Sequence, residues 1–186
     1  SIGRTIVLDS LFKQIISGLK KDLNENISHK EITFGHLKTL IKMFPKKYKH
    51  LLINAVDLNN NEQIFFTTLN ENSDNLTLYD ALMASSAIPF AFEPTIIYRD
   101  NKKFYSKNIG NLQKIIAIDG GTSNNNPLDY FMIDIKDYSD YDFHLLKYNS
   151  PSKYVDIKSN LTAMERIIFY WLSERNTVNM EVIGDF

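Results

Sequence analysis

The 186 residues contain no cysteine. The chain therefore forms no disulfide, offers no thiolate nucleophile and builds no cysteine-ligated zinc site. This suits a reducing compartment and slightly favours the cytoplasm. No basic segment leading into an apolar stretch opens the chain at Ser1-Ile2-Gly3-Arg4, and no apolar run approaches the length of a membrane span. Any lipid contact is then expected to be peripheral. An excess of either charge is missing too: 21 basic residues face 22 acidic ones, a formal net charge of -1. No global field draws the chain to nucleic acid or to an anionic membrane. The four histidines, His29, His36, His50 and His144, have neither H-x-x-x-H spacing nor evident carboxylate partners, which suits surface or capping roles and supports no metal site. There is no internal repeat and no linker that divides the chain.

What is present suits one globular α/β domain over 1–186. Hydrophobic residues make up 44% and aromatic residues 12%, enough for a real core. The triplets Asn59-Asn60-Asn61 and Asn124-Asn125-Asn126 read as compositional bias. Leu11, Phe12, Ile15, Ile16, Leu19 and Leu23 recur at helical spacing and predict a helix from a Ser10 cap to about Leu23. A second helix is expected from Thr33 to Phe44, capped by Thr33 and stopped by Pro45, with Phe34, Leu37, Leu40 and Ile41 inward. His50–Leu58 reads as a strand too continuously apolar for a one-sided sheet, which suits a central strand covered on both faces. Asn59–Glu62 supplies a turn, and Gln63–Thr68 returns as an antiparallel partner.

Thr77-Leu78-Tyr79-Asp80 resembles a capping box for a helix ending at Ala84 or Ser85, broken before Pro89. Its small residues Ala81, Ala84, Ser85 and Ala87 allow close packing on a sheet. Phe92–Tyr98 is a further strand, 99–113 a polar irregular insertion, and Phe143–Tyr148 another short strand candidate. Between Leu161 and Leu172 the sequence predicts a helix apolar nearly all round, which must be buried by its own domain or by something else.

The chemistry concentrates where Ile115-Ile116-Ala117-Ile118, an apolar strand, ends on Asp119-Gly120-Gly121. Asp-Gly-Gly after a buried strand is also an ordinary way to turn, because aspartate bonds its neighbouring backbone and glycine accepts positive φ. The surroundings point further. Ala84-Ser85-Ser86-Ala87-Ile88-Pro89 comes first, then the spacing D-G-G-x-x-x-N-x-P, filled by Asp119, Gly120, Gly121, Asn125 and Pro127. In this order the two segments resemble the second half of a patatin-like phospholipase domain, over about Leu8 to Pro127. Residues 128–186 match only vaguely and are expected to be an extension of this protein's own.

The resemblance implies a layered α/β/α fold with a mainly parallel central sheet, of which this chain is the C-terminal portion. It implies hydrolysis of a carboxylic ester in a phospholipid or related acyl lipid by a Ser-Asp dyad, with no cofactor or metal. Asp119 is the implied catalytic base. Gly120 and Gly121 are expected to leave room for the acyl substrate, and Asn125 and Pro127 to fix the loop. The family's nucleophile turn G-x-S-x-G does not occur in these residues, so the serine is expected from upstream polypeptide. Ser1-Ile2-Gly3 matches only the end of that pattern. Ser85 and Ser86 are expected to bond backbone at a helix end, and Ser123 lies too close to Asp119 to be mounted independently. A catalytically inactive patatin-like module that binds lipid or a protein partner is the alternative. Lys42, Lys46, Lys47, Tyr48 and Lys49 beside Met43 and Phe44 read either as a solvated basic loop or as a peripheral membrane contact.

Overall fold

Two hairpins and one long-range strand build the sheet in the computed structural model, which describes residues 2–123 together with Pro127 and Tyr130, with side chains from Thr5 onward. Strand β1 (Leu52–Asp57) returns as β2 (Glu62–Thr67), and β3 (Thr95–Asp100) returns as β4 (Lys103–Tyr105). Strand β5 (Gln113–Asp119) lies between the hairpins, in the order β2-β1-β5-β3-β4. All four pairings are antiparallel. The expected mainly parallel sheet is thus incorrect for the described residues, although the class, helices with a sheet, is α/β.

The reason lies in the turns. Asn61 (φ 52°) and Asn101 (φ 53°) adopt the left-handed conformation that asparagine tolerates, and each reverses the chain within a few residues. Such short loops can join only antiparallel neighbours. The unbroken apolar run of β1 has another cause. Ile53 and Ala55 face the main core, while Val56, paired with Ile118 of β5, is buried on the opposite face. Two-sided burial of β1 is real, but it does not require parallel partners. The first asparagine triplet, which reads as bias, also works locally. Asn59 N–H and Asn60 Nδ2 donate to the carboxylate of fully buried Asp57 at 2.9 and 2.8 Å, and Asn59 Oδ1 accepts from Ile116 N at 2.8 Å.

The core face of the sheet carries Ile53, Ala55, Ile64, Phe66, Ile97, Phe104, Ile115 and Ala117. Helix α3 (Leu78–Ser85) packs against β1, β5 and β3. Ala81, Ala84 and Ala87 are fully buried, and their small size lets the backbone come close. Thr77 caps α3 by accepting from Asp80 N at 3.0 Å. A reciprocal capping box stands instead at helix α2 (Phe34–Met43), where Thr33 Oγ1 accepts from His36 N and His36 Nδ1 accepts from Thr33 N. Thr33→Ala is expected to cost about 1 kcal/mol, read as a lower denaturant midpoint at unchanged slope.

Helix α1 runs Ile2–Leu23, so Ser10 lies inside it rather than at its start. Nothing from Ile2 to Asp9 breaks a helix. Phe12, Ile16 and Leu19 are buried as expected, but Leu11 and Ile15 are exposed, with Ile6 and Val7. Asp9 ties α1 to the short 3-10 helix His29–Glu31, receiving His29, Lys13 and Lys30. The hydrogen bond from His29, with those from the two lysines, holds its carboxyl well below the usual carboxylate range. Within the segment expected to be irregular, Lys103–Tyr105 forms β4, with Phe104 edge-on to Phe66 at 5.1 Å between ring centroids. By contact density the chain divides into two units, Ser1–Ser123 and Asn124–Phe186. The strand expected at Phe143–Tyr148 and the helix expected at Leu161–Leu172 lie outside the described residues.

Candidate active site

Strand β5 delivers Asp119 to the end of the sheet, and the register sets its direction. Asp119 stands opposite Ala55, so its side chain projects on the same face as Ala117 and Ile115, the face covered by α3. Beyond it the chain turns into a short 3-10 helix, Gly120–Thr122, which Asp119 caps. The carboxylate Oδ1 accepts from Gly121 N at 2.7 Å, and Thr122 Oγ1 donates to the Asp119 carbonyl at 2.7 Å. This is the turn that three residues alone foretell.

Two features go beyond a turn. The Asp119 N–H donates to the carbonyl of Ala87 at 3.1 Å, so the A-S-S-A-I-P segment and the D-G-G segment are directly joined. Asp119 is also half-buried, and burial raises its pKa above the ordinary carboxylate range, with the Gly121 N–H pulling it partly back. Among the described residues the second oxygen, Oδ2, receives no protein donor. A carboxylate with one oxygen anchored, the other without a donor among the described residues, and its basicity raised by desolvation is suited to take a proton.

Gly120 is buried, and a Cβ there would lie 2.5 Å from both the Cγ and the backbone carbonyl oxygen of Asn54. The expected room for substrate at this glycine is therefore filled by β1. Its absent side chain serves close approach of turn and strand. Gly121 contributes its N–H. Asn125 lies outside the described residues. Pro127 belongs to the second unit, where its carbonyl accepts from Tyr130 N at 3.1 Å. Asn54, which fits against Gly120, and the Ala87 carbonyl carry no signal in the sequence, because both roles depend on pairing between segments distant along the chain.

Ser86 Oγ donates to the Leu82 carbonyl at 2.8 Å, the helix-end bond expected of it. Ser123 is exposed, with its N–H on the Gly120 carbonyl. Ser1 lies outside the described residues. His29, His36 and His50 bond Asp9, Thr33 and Thr68 respectively, and among the described residues no three His, Asp or Glu side chains gather as a metal cluster. Nor is any described helix long and apolar enough to cross a membrane.

Further along the face that Asp119 shares with Ala55, Ile53 and Leu51 open into an apolar groove of about 670 Å³, also lined by Leu78, Leu82, Phe12 and Ile16. In the basic loop nearby, Lys42, Lys46 and Lys49 are exposed with Met43 and Phe44, whereas Lys47 and the Tyr48 hydroxyl both bind Asp22.

A family model for patatin-like phospholipase matches residues 7–132. An uncharacterized protein of Acanthamoeba polyphaga mimivirus is 35% identical over 186 residues, covering 96% of this chain and 50% of that protein. The chain thus spans about half the length of the curated relative it matches. No solved structure matches. The matched region takes in α1 from Val7 onward, the entire described sheet and the aspartate at its tip, and by that match the chain belongs to the patatin-like phospholipase family.

Proposed function

We propose that this chain supplies the aspartate half of a Ser-Asp dyad in a lipid acyl hydrolase. The serine comes from polypeptide outside these 186 residues. In this reading the serine Oγ attacks the ester carbonyl of a phospholipid or other acyl lipid while Asp119 Oδ2 takes its proton. The proton then passes to the leaving alcohol oxygen. Water, deprotonated by the same carboxylate, attacks the acyl carbonyl, and the C–Oγ bond breaks as that proton returns to the serine Oγ, releasing the fatty acid. Membership of the family supports the hydrolase class and its lipid substrates. The observation that carries the residue assignment is the state of Asp119: held by Gly121 and by the Ala87 carbonyl, raised in pKa by burial, and with no donor on Oδ2 among the described residues. The apolar groove on the same face has the chemistry to hold acyl chains, and the exposed Met43 and Phe44 among lysines suit peripheral contact with a lipid surface.

The test is the pH profile of ester hydrolysis by the full-length protein. Asp119 must be ionised to act, so kcat/KM should rise with pH along an acid limb whose pKa lies above the ordinary carboxylate range. An active protein without that limb overturns the assignment of the base. The absence of G-x-S-x-G from these residues favours a second reading, a patatin-like module that binds lipid without cleaving it. That reading predicts lipid binding with no hydrolysis at any pH.

A further inference from the structure

The segment bonded to the aspartate tip continues into a turn whose sequence does not suit its shape. Ile88, Pro89, Phe90 and Ala91 form a β-turn closed by Ala91 N on the Ile88 carbonyl at 3.2 Å, and Phe92 N reaches the same carbonyl at 3.0 Å. Proline fixes the first central position. The second has φ 66°, a position that calls for glycine or asparagine and here holds Phe90. The other three non-glycine residues with positive φ among those described, Asn24, Asn61 and Asn101, are all asparagine. Packing does not account for the exception, because Phe90 is 86% exposed, the highest value among the exposed large hydrophobic side chains. The neighbouring Ile88 is also exposed.

An aromatic ring is thus held out in solvent, on a backbone that disfavours it, by a closed turn. Pro89 sets the chain path before the ring, and the N–H groups of Ala91 and Phe92 after it return to the Ile88 carbonyl. One residue before that carbonyl, the Ala87 carbonyl is bonded to the N–H of Asp119, so the ring stands three residues from a direct link to the candidate base. We infer that Phe90, with Ile88 beside it, is an interfacial anchor that inserts into a lipid surface and sets the mouth of the Asp119 site against it. The choice of a lipid surface as occupant rests on the acyl-hydrolase reading. The nearly balanced charge of the chain and the apolar character of the pair point to the acyl boundary of a neutral bilayer rather than to anionic headgroups.

The experiment measures partition of the full-length protein onto phosphatidylcholine vesicles by co-sedimentation, for the parent, F90N, F90W and D119N. Asparagine keeps the left-handed turn and removes the ring, so F90N should fold with an unchanged or higher Tm. Its partition should be about ten-fold weaker than the parent's, as expected for losing one buried aromatic anchor. F90W should bind as the parent does. Hydrolysis of a dispersed short-chain ester should be unaltered in F90N, while hydrolysis of vesicle lipid falls with partition. D119N should bind vesicles like the parent, so loss of hydrolysis and loss of anchoring are read separately. If the protein partitions through Phe90 yet cleaves nothing, the hydrolase reading fails and the anchor stands. Equal partition of F90N and parent, no partition by the parent, or failure of F90W overturns the anchor. Loss of self-association in F90N without any change in vesicle binding also overturns it, by assigning the ring to a second copy of the chain.

Discussion

If Asp119 is the proposed base, replacing it by asparagine in the full-length protein is expected to lower kcat/KM for ester hydrolysis by about 10²–10⁴-fold, the range for removing a general base, without loss of fold. The side-chain oxygen of asparagine can still accept from Gly121 N, and the backbone bond to Ala87 is untouched. The stability change should be favourable if anything. Burial raises the pKa of Asp119 in the folded chain, so ionisation is penalised there, and folding stability declines as pH rises through the folded-state pKa. A neutral amide carries no such penalty. A variant that retains full activity would remove Asp119 from the mechanism. A variant that loses several degrees of Tm would identify the carboxylate as a structural turn group.

Gly120→Ala should be the most damaging small substitution near the site. The added methyl would sit 2.5 Å from the Asn54 carbonyl oxygen and 2.6 Å from its carbon, in the backbone of β1, so relief requires strand movement rather than a rotamer change. A cost of about 3 kcal/mol is expected, or a Tm lower by roughly 6–12 °C for a chain of this size. Activity should fall with it, because the turn that aims Asp119 is displaced. Gly18→Ala serves as the control. Nothing lies within 4 Å of a Cβ there and the residue is inside α1, so the same change should stabilise by about 1 kcal/mol. Equal Tm values for Gly120→Ala and the parent would show that β1 and the turn are not in the close contact described.

The elements legible in the sequence are those set by local physics. The apolar periodicity of α2, the caps Thr33 and Thr77, the β1–β2 hairpin and the aspartate at the end of β5 all rest on neighbours a few residues apart. What the sequence hides depends on distant partners. The apolar run of β1 discloses burial on both faces but not the direction of the strands beside it, so the parallel expectation gives way to antiparallel pairing with β2 and β5. β4 is only three residues long and surrounded by polar residues, too short for alternation to register. Leu11 and Ile15 share the helical stripe of α1, yet the core reaches only Phe12, Ile16 and Leu19. At the site, Asp119 is legible through its motif. The desolvation that makes it basic and the Asn54 surface behind Gly120 arise only once β5 meets β1.

The placement of β5 also has a kinetic consequence. The hairpins on either side can close locally, since their turns are short, whereas β5 must find β1 across a long intervening stretch of chain, the slower kind of pairing. The strand bearing the carboxylate is therefore the keystone, joining the two halves of the sheet. A refolding chain should recover hairpin structure before it recovers a buried Asp119, which should return with the slowest phase of assembly.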